Sequence, residues 1–101
     1  MAAKWTNEAL ENLWEIEKFI GRDNLQKAES FVNYLIEQAE SIALNPNIGR
    51  MVPEISNPEI RELIVKKYRI VYRVHEHEIE ILTVFEGHKL LRLDNLNPGT
   101  I

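Results

Sequence analysis

The spacing of apolar residues changes once along this chain, at about residue 60, and this change constrains the fold more than any other feature. Before it, apolar residues recur at the period of an α-helix with one buried face. The first such series is Ala9, Leu13, Ile16 and Ile20. After it, "IRELIV", "YRIVYRV" and "EIEILTVF" alternate with a period of two and are rich in β-branched and aromatic residues, as strands are. The pattern predicts an α+β domain with its helices first and its strands last.

Two helices are predicted, and capping residues mark their ends. Thr6 is the expected N-cap of the first helix and Gly21 its expected end. The segment "DNLQ", beginning at Asp23, resembles a capping box and is the predicted start of the second helix. A short strand around Lys4 and Trp5 can precede the first helix.

These elements and the segments between them form a single predicted domain of 101 residues. Residues 6–45 form a helical hairpin, which packs on one face of a small antiparallel sheet built from residues 60–86. Residues 46–59 are rich in Asn, Pro and Gly and are expected to form an ordered loop, while residues 87–101 form a loosely held tail. The loop has four apolar residues that can anchor it: Ile48, Met51, Val52 and Ile55.

Composition excludes several classes of protein. With no cysteine, the chain has no disulfide framework, no thiolate nucleophile and no Cys-based zinc site. No apolar run approaches the length that spans a bilayer, and "MAAKWTNEAL" lacks the features of a signal peptide. The protein is therefore expected to be soluble and cytoplasmic, with no membrane partner.

The charge of the chain is unevenly divided. Residues 1–59 carry 5 Lys and Arg against 10 Asp and Glu, residues 60–101 carry 7 against 6, and the sum of -5 and +1 is the net charge of -4. The field of the whole molecule repels a polyanion. This argues against a purely electrostatic nucleic-acid binder.

The register of the second hairpin predicts which strand residues share a face. With Glu76 and His77 as a two-residue turn, Arg73 lies opposite Glu80 and Arg69 opposite Val84. The face toward the helices then holds Tyr68, Ile70, Tyr72, Val74, Ile79, Ile81 and Phe85. The other face, expected to be open, holds Arg69, Val71, Arg73, Glu80, Leu82 and Val84.

Arg69 is the strongest candidate for binding on the open face, because it has no acidic residue directly opposite. Its apolar neighbours there, Val71, Leu82 and Val84, indicate a surface that a partner covers. Arg73 is expected to pair with Glu80 across the strands.

The sequence leaves two alternatives for each of two further arginines. Arg50 either binds a partner or bonds to loop carbonyls, with Gly49 supplying an unusual backbone angle beside it. Arg61 lies on the helix side if Lys66 and Lys67 form a two-residue turn, and beside Arg69 if the turn has three residues.

No metal site and no cofactor are predicted. His75 and His77 in "HEHE" have a spacing that could share a metal, but two ligands in a turn without a third nearby are typical of a solvated turn.

Taken in order, several segments resemble the RelE/ParE superfamily of toxins from type II toxin-antitoxin systems. They are "A...L..I..FI" and "A..F...L" in the helices, "NPNIGRMVPE" in the loop, and "IREL", "YRIVYRV" and "IEILTVFEGHK" in the strands. The resemblance covers nearly the whole chain, and "GR..PE.....IREL....YRIVYRV" is more similar to the ParE branch. It implies a cytoplasmic bacterial toxin of the plasmid-stabilisation kind, held in a hetero-oligomer by a cognate antitoxin that wraps around its helices and sheet.

The two branches of the superfamily imply different activities. ParE-like members poison DNA gyrase without a nuclease site, and the resemblance favours this activity. RelE-like members cleave mRNA on the ribosome, which needs cations at the phosphate and groups that transfer protons. The RelE-like alternative implies a set of four catalytic residues here: Arg61, Arg69, His88 and Lys89.

The sequence departs from the RelE pattern at two points. The C-terminal Tyr of RelE members is absent, and Glu86 stands where many relatives have His. A third alternative is a non-toxic module that only binds antitoxin. In every case the candidate residues for binding antitoxin or target are Arg50, Arg69, Val71, Arg73, Leu82, Val84 and Lys89.

Overall fold

The computed structural model describes residues 1–87, and these form two helices and a five-stranded sheet. The helices are α1 (Asn7–Gly21) and α2 (Leu25–Ile42), and the strands are β1 (Ala2–Trp5), β2 (Arg50–Met51), β3 (Ile60–Val65), β4 (Tyr68–Val74) and β5 (Glu78–Glu86). The strand order is β1-β5-β4-β3-β2, with β1 parallel to β5 and the other pairs antiparallel. The predicted α+β class and helical hairpin are confirmed. Two short edge strands extend the predicted antiparallel strands into a mixed sheet.

Capping side chains set where both helices begin. The hydroxyl of Thr6 accepts a hydrogen bond from the Ala9 N–H at 3.1 Å, as its predicted role requires. The start predicted for α2 at Asp23 is wrong by one residue. Asn24 is the N-cap instead, and its side chain accepts from the N–H of Lys27 at 3.0 Å. Neither helix described in residues 1–87 is long and apolar enough to cross a membrane.

The main core lies between the helices and one face of the sheet. The apolar stripes of α1 and α2 meet the inward residues of β4 and β5 there, as the periodicities predict. Its largest fully buried side chains are Leu35, Ile42, Ile70, Tyr72, Ile79 and Ile81.

A second, smaller core lies on the opposite face of the sheet, so the prediction that this face is open is wrong. The loop after α2 crosses it and buries Val52 and Ile55 against strand residues. The strand side of this core consists of Ile60, Val71 and Leu82, with Phe85 packed against them. Of the four predicted loop anchors, Ile48 and Met51 stay about half exposed, at 49% and 52%.

The pairing of β4 with β5 follows the predicted register only at its turn end. Tyr72 pairs with Ile81 as predicted, but an extra residue in β5, Leu82, forms a bulge, after which Val71 pairs with Thr83. Three predictions are therefore wrong, the first because Arg69 pairs with Phe85 rather than with Val84. Val84 faces the helices and Phe85 faces the loop, because one inserted residue reverses the faces of all residues that follow it.

Side chains from the start of α1 satisfy the backbone of this bulge. The Thr6 hydroxyl donates to the Leu82 carbonyl at 2.9 Å, and the Asn12 carbonyl oxygen accepts from the Val84 N–H at 2.9 Å and the Thr83 hydroxyl at 2.8 Å. The strand β1 ends opposite Ile81. Thus α1 takes over the hydrogen bonds of this edge where β1 stops.

Candidate functional site

Arg69, the strongest predicted candidate for binding, is buried beneath the loop with 5% of its surface exposed. Its Nε donates to Glu62 at 2.7 Å, and its Nη1 and Nη2 donate to the two carboxylate oxygens of Glu54 at 2.9 and 2.8 Å. The ring of Phe85 lies 5.0 Å from the guanidinium carbon on the neighbouring strand. The expectation that Arg69 projects from an open face is therefore wrong, because the loop supplies the acidic partner that the opposite strand lacks.

The paired carboxylates keep Arg69 charged. The hydrogen bond to Glu54 raises the pKa of the guanidinium most, Glu62 raises it further, and burial opposes both by disfavouring the charged form. The pKa of Arg69 therefore moves upward from its already high ordinary value. Its charge is held against protein carboxylates.

Glu62 joins Arg69 to the exposed end of the loop. This carboxylate is fully buried, and it also accepts from the Nε of Arg50 at 2.7 Å. The Arg50 side chain is 63% exposed. Arg50, Glu54, Glu62 and Arg69 thus form one cluster of two positive and two negative charges, named here the loop cluster, which ties the loop to β3 and β4.

A second group of contacts, named here the Tyr72 clasp, also holds the loop through hydrogen bonds. The Tyr72 hydroxyl donates to the Pro46 carbonyl at 2.8 Å and accepts from the Gly49 N–H at 2.9 Å, while the Arg61 guanidinium donates to the Gly49 carbonyl at 2.9 Å. Burial raises the pKa of Tyr72, and the bond from Gly49 and the charge of Arg61 partly oppose that rise.

Gly49 is needed for space rather than for an unusual backbone angle. No glycine within residues 1–87 has a positive φ, so that prediction is wrong. A Cβ on Gly49 would lie 2.5 Å from the Glu62 carbonyl oxygen and 2.6 Å from the Tyr72 hydroxyl. Arg50, beside it, bonds to a carboxylate of the loop cluster rather than to a loop carbonyl.

The β3–β4 turn decides the alternatives left open for Arg61. Val65 pairs with Tyr68, so Lys66 and Lys67 form a two-residue turn. Arg61 pairs with Tyr72 on the helix side of the sheet, whereas Arg69 lies on the loop side. The two arginines of the nuclease alternative are therefore on opposite faces, and His88 and Lys89 lie outside the described residues.

The other predicted binding residues on β4 and β5 are mostly inaccessible. Val71, Leu82 and Val84 are 0%, 3% and 2% exposed, because the loop covers the first two and the bulge turns the third toward the helices. Arg73 lies opposite Glu80 as predicted. It donates to Glu59 of the loop at 2.8 Å, and its side chain is 23% exposed.

The turn that contains the two histidines has no metal-binding geometry. His75 Nε2 lies 3.0 Å from a carboxylate oxygen of Glu80, and His77 is exposed. Within residues 1–87 no group of three His, Asp or Glu side chains could hold a metal ion.

One accessible feature was not identified from the sequence. Arg50, Ile64, Lys66, Lys67 and Gly87 line an open cleft of about 490 Å³ at the edge of β3, named here the basic notch. The strand β2 pairs only with the first part of β3. The adjacent lysines were a signal for it, but the approach of Arg50 to them depends on the path of the loop.

A second accessible feature lies along α1. Trp14 and Phe19 are 60% and 65% exposed, with the cationic groups of Lys18 and Arg22 over their rings at 4.2 and 5.9 Å. Between Phe19 and the ends of β4 and β5 is a cleft of about 310 Å³. Tyr68 borders this cleft, and burial, followed by the charge of Glu86, raises its pKa.

Comparison with known proteins identifies the class of this domain and then its family. The fold matches the RelBE2 toxin-antitoxin complex from Mycobacterium tuberculosis with a TM-score of 0.63 and 17% identity, over 84% of this chain and 88% of that chain. It matches the chromosomal ParDE toxin-antitoxin system from P. aeruginosa with a TM-score of 0.72 and 27% identity, over 85% of this chain and 95% of that chain. The domain is thus a type II toxin of the RelE/ParE superfamily.

The family follows from the sequence. Residues 3–91 match the family model described as the ParE toxin of the type II toxin-antitoxin system parDE. The chain belongs to the ParE toxin family, and the predicted resemblance is confirmed. No curated protein matches the sequence significantly.

Proposed function

We propose that this toxin acts by binding DNA gyrase rather than by cutting mRNA, and that a cognate antitoxin neutralises it in the cytoplasm. The observation that carries the proposal is the engagement of Arg69 by Glu54 and Glu62 beneath the loop. Membership of the ParE family supports the same activity.

A ribonuclease that cuts by attack of a 2′-hydroxyl needs cations at the phosphorane and groups that accept and donate protons. A phosphate at Arg69 would have to displace Glu54 and approach the buried carboxylate of Glu62, which repels it. Arg61 cannot assist, since it lies on the other face of the sheet and bonds to Gly49. Residues 1–87 therefore favour a protein-binding toxin over a nuclease.

The antitoxin proposal rests on surfaces and on the structural neighbours. Both neighbours are toxin-antitoxin systems by name. The exposed rings of Trp14 and Phe19 on α1 are suited to a docked helix, and the open edge of β3 is suited to an added strand. Such an antitoxin forms a hetero-oligomer with the toxin.

The experiment is induction of the chain without antitoxin in bacterial cells, with primer extension on mRNA and a DNA-damage reporter read together. A damage response with intact messages, and inhibition of purified gyrase by the purified chain, are expected. A variant with the core disrupted, Leu35→Asp, is the control, because Leu35 is fully buried and its replacement should abolish any effect of the folded toxin.

Two outcomes would overturn this proposal. Cuts in translated messages that follow the codon phase would establish the RelE-like alternative. Neutral growth, with neither cut messages nor DNA damage despite folded protein, would favour the alternative of a non-toxic antitoxin-binding module.

A further inference from the structure

We propose that the basic notch binds the phosphate backbone of duplex DNA without sequence preference. The cations of this site are Arg50 of β2 and the two turn lysines, Lys66 and Lys67. The toxin makes this contact alone, without a partner protein. That the duplex bound in the cell is the one held by gyrase rests on the function proposed above.

The buried carboxylate of Glu62 holds one side of the Arg50 guanidinium. It accepts from Nε at 2.7 Å, while the Arg50 side chain is 63% exposed. Neither terminal nitrogen of Arg50 donates to another residue within residues 1–87. These two nitrogens are a planar pair of donors, which suits two oxygens of one phosphate. Since Glu62 is shared with Arg69, it neutralises Arg50 only in part.

The two turn lysines add exposed positive charge beside Arg50. Neither lysine forms an ion pair within residues 1–87. The N–H of Gly87 donates to the Lys67 carbonyl, which fixes the turn beside the end of β5. None of the residues that line the notch is acidic. A phosphate that enters the notch therefore meets three cations and no carboxylate among the lining residues.

The backbone of Lys66 supports a role for its charge. Its φ is 55°, the one positive value for a non-glycine residue within residues 1–87. Glycine is preferred at such a position of a two-residue turn, because a Cβ is disfavoured there. The Lys66 ammonium lies 5.6 Å from the centroid of the Tyr34 ring, a contact that is weak at an exposed site. Strained residues concentrate where ligands bind, so a lysine in this conformation indicates an anionic ligand.

The lining of the notch favours a duplex backbone over exposed bases. Apart from the three cations it consists of Ile64 and Gly87, so no aromatic ring offers a stacking platform for bases. Contacts to phosphates alone carry no sequence information. A duplex presents closely spaced phosphates at any sequence, which suits a group of cations that has no means of reading bases.

The net charge of the chain keeps this binding weak. A charge of -4 opposes a polyanion, and only the local cations favour it. A weak contact becomes effective when a second site holds the protein on the same assembly, because the local concentration is then high. Gyrase with bound DNA is such an assembly, so the notch would strengthen the binding of the toxin to DNA-loaded gyrase.

The test titrates a fluorescein-labelled duplex of about 20 base pairs with the full chain by fluorescence anisotropy, at about 50 mM salt and without gyrase. Saturable binding is expected, equal for two unrelated sequences. Affinity should fall as salt rises, with a slope of about -2 to -3 on logarithmic axes for three cations. The variant Lys66→Asn/Lys67→Gln should bind about tenfold more weakly and reduce the size of that slope by about 2.

The matched control is Lys4→Gln/Lys18→Gln, which removes the same charge at two exposed positions outside the notch. This control should bind the duplex as the original chain does. Asparagine tolerates the positive φ at position 66, so the notch variant should remain folded. Thermal unfolding of both variants checks that a loss of binding is not a loss of structure.

Three results would rule the proposal out: no saturable binding, an equal loss of binding in the control, or tighter binding of a single-stranded oligonucleotide. Tighter binding of a labelled peptide of alternating Val and Glu would assign the notch to an acidic protein segment instead. Because the assay contains no gyrase, its failure leaves the gyrase proposal standing. Conversely, failure of the chain to inhibit gyrase leaves duplex binding at the notch measurable.

Discussion

Glu62 on β3 and Arg69 on β4 form a buried ion pair, with the arginine Nε 2.7 Å from the carboxylate, although neither residue is the register partner of the other. Glu62 is fully buried and Arg69 is 5% exposed. The pair is completed from the loop by Glu54 and Arg50. The arginine on this sheet face therefore stabilises the position of the loop.

Replacement of Arg69 by Met should lower the free energy of unfolding by about 3–5 kcal/mol, because it leaves the carboxylate of Glu62 buried without its main partner. The double variant Arg69→Met/Glu62→Leu should recover much of that loss, since the unpaired charge is then absent. Urea unfolding of the single and double variants measures both effects. A loss below about 1 kcal/mol in Arg69→Met would contradict a structural role for this pair.

Replacement of Tyr72 by Phe should destabilise the protein by about 2 kcal/mol, because the Gly49 N–H and the Pro46 carbonyl lose their buried partner. Tyr34→Phe is the matched control. Its side chain is on an exposed part of α2 and should tolerate the change within about 0.5 kcal/mol. Equal stabilities of the two variants in urea unfolding would show that the clasp does not hold the loop.

Stability should fall at alkaline pH, beginning near pH 10. The pKa values of Tyr68 and Tyr72 are raised above 10.0 by burial in the folded chain. Above that pH the unfolded chain releases these protons first, so the free energy of unfolding decreases until the folded pKa values are passed. Below it, both states keep the protons and this stabilisation is complete.

Urea unfolding between about pH 8 and pH 11, with tyrosinate absorbance followed in parallel, tests this expectation. Stability should fall less steeply with pH in Tyr68→Phe, because one hydroxyl with a raised pKa is removed. The substitution keeps the ring, whose centroid lies 5.4 Å from that of Phe31. A flat stability profile across this range would refute the expectation.

Two glycine substitutions should have opposite effects. Gly49→Ala should destabilise the protein by about 2 kcal/mol or more, since its Cβ would meet backbone and a buried hydroxyl. Gly21→Ala, at the end of α1, should stabilise it by about 0.5–1 kcal/mol, because the nearest atom is on the exposed side chain of Leu25, which can move. Thermal unfolding of both variants is the measurement, and a tolerated Gly49→Ala would disprove the steric account.

Asn12→Ala should destabilise the protein by about 1–3 kcal/mol, because the Val84 N–H and the Thr83 hydroxyl lose their acceptor at the bulge. Asn33→Ala is the same change at an exposed position on α2 and should be neutral or slightly stabilising. Hydrogen exchange at Val84 measures the local effect. Unchanged protection of that amide in Asn12→Ala would argue against the role of α1 in holding β5.

Some parts of the site were within reach of sequence reasoning and others were not. Once the turn at Lys66 and Lys67 is taken as two residues, Glu62 falls on the same face as Arg69, and the ion pair between them can be anticipated. The bulge at Leu82 was missed, although the alternation of "EIEILTVF" breaks there, where the apolar residues Ile81 and Leu82 are adjacent. Its consequence was the exchange of Val84 and Phe85 between faces.

The sequence by itself determined the local structure: two helices from their period and caps, three central strands from their alternation, and a two-residue turn as one of two open choices. These features depend on residues close together in the chain. Only the tertiary structure decided that the loop covers the second sheet face and that α1 stabilises the bulge in β5. Both depend on contacts between residues distant in sequence, which no periodicity records. The burial and pairing of Arg69 were likewise decided by the tertiary structure, because its partner Glu54 lies in an aperiodic loop.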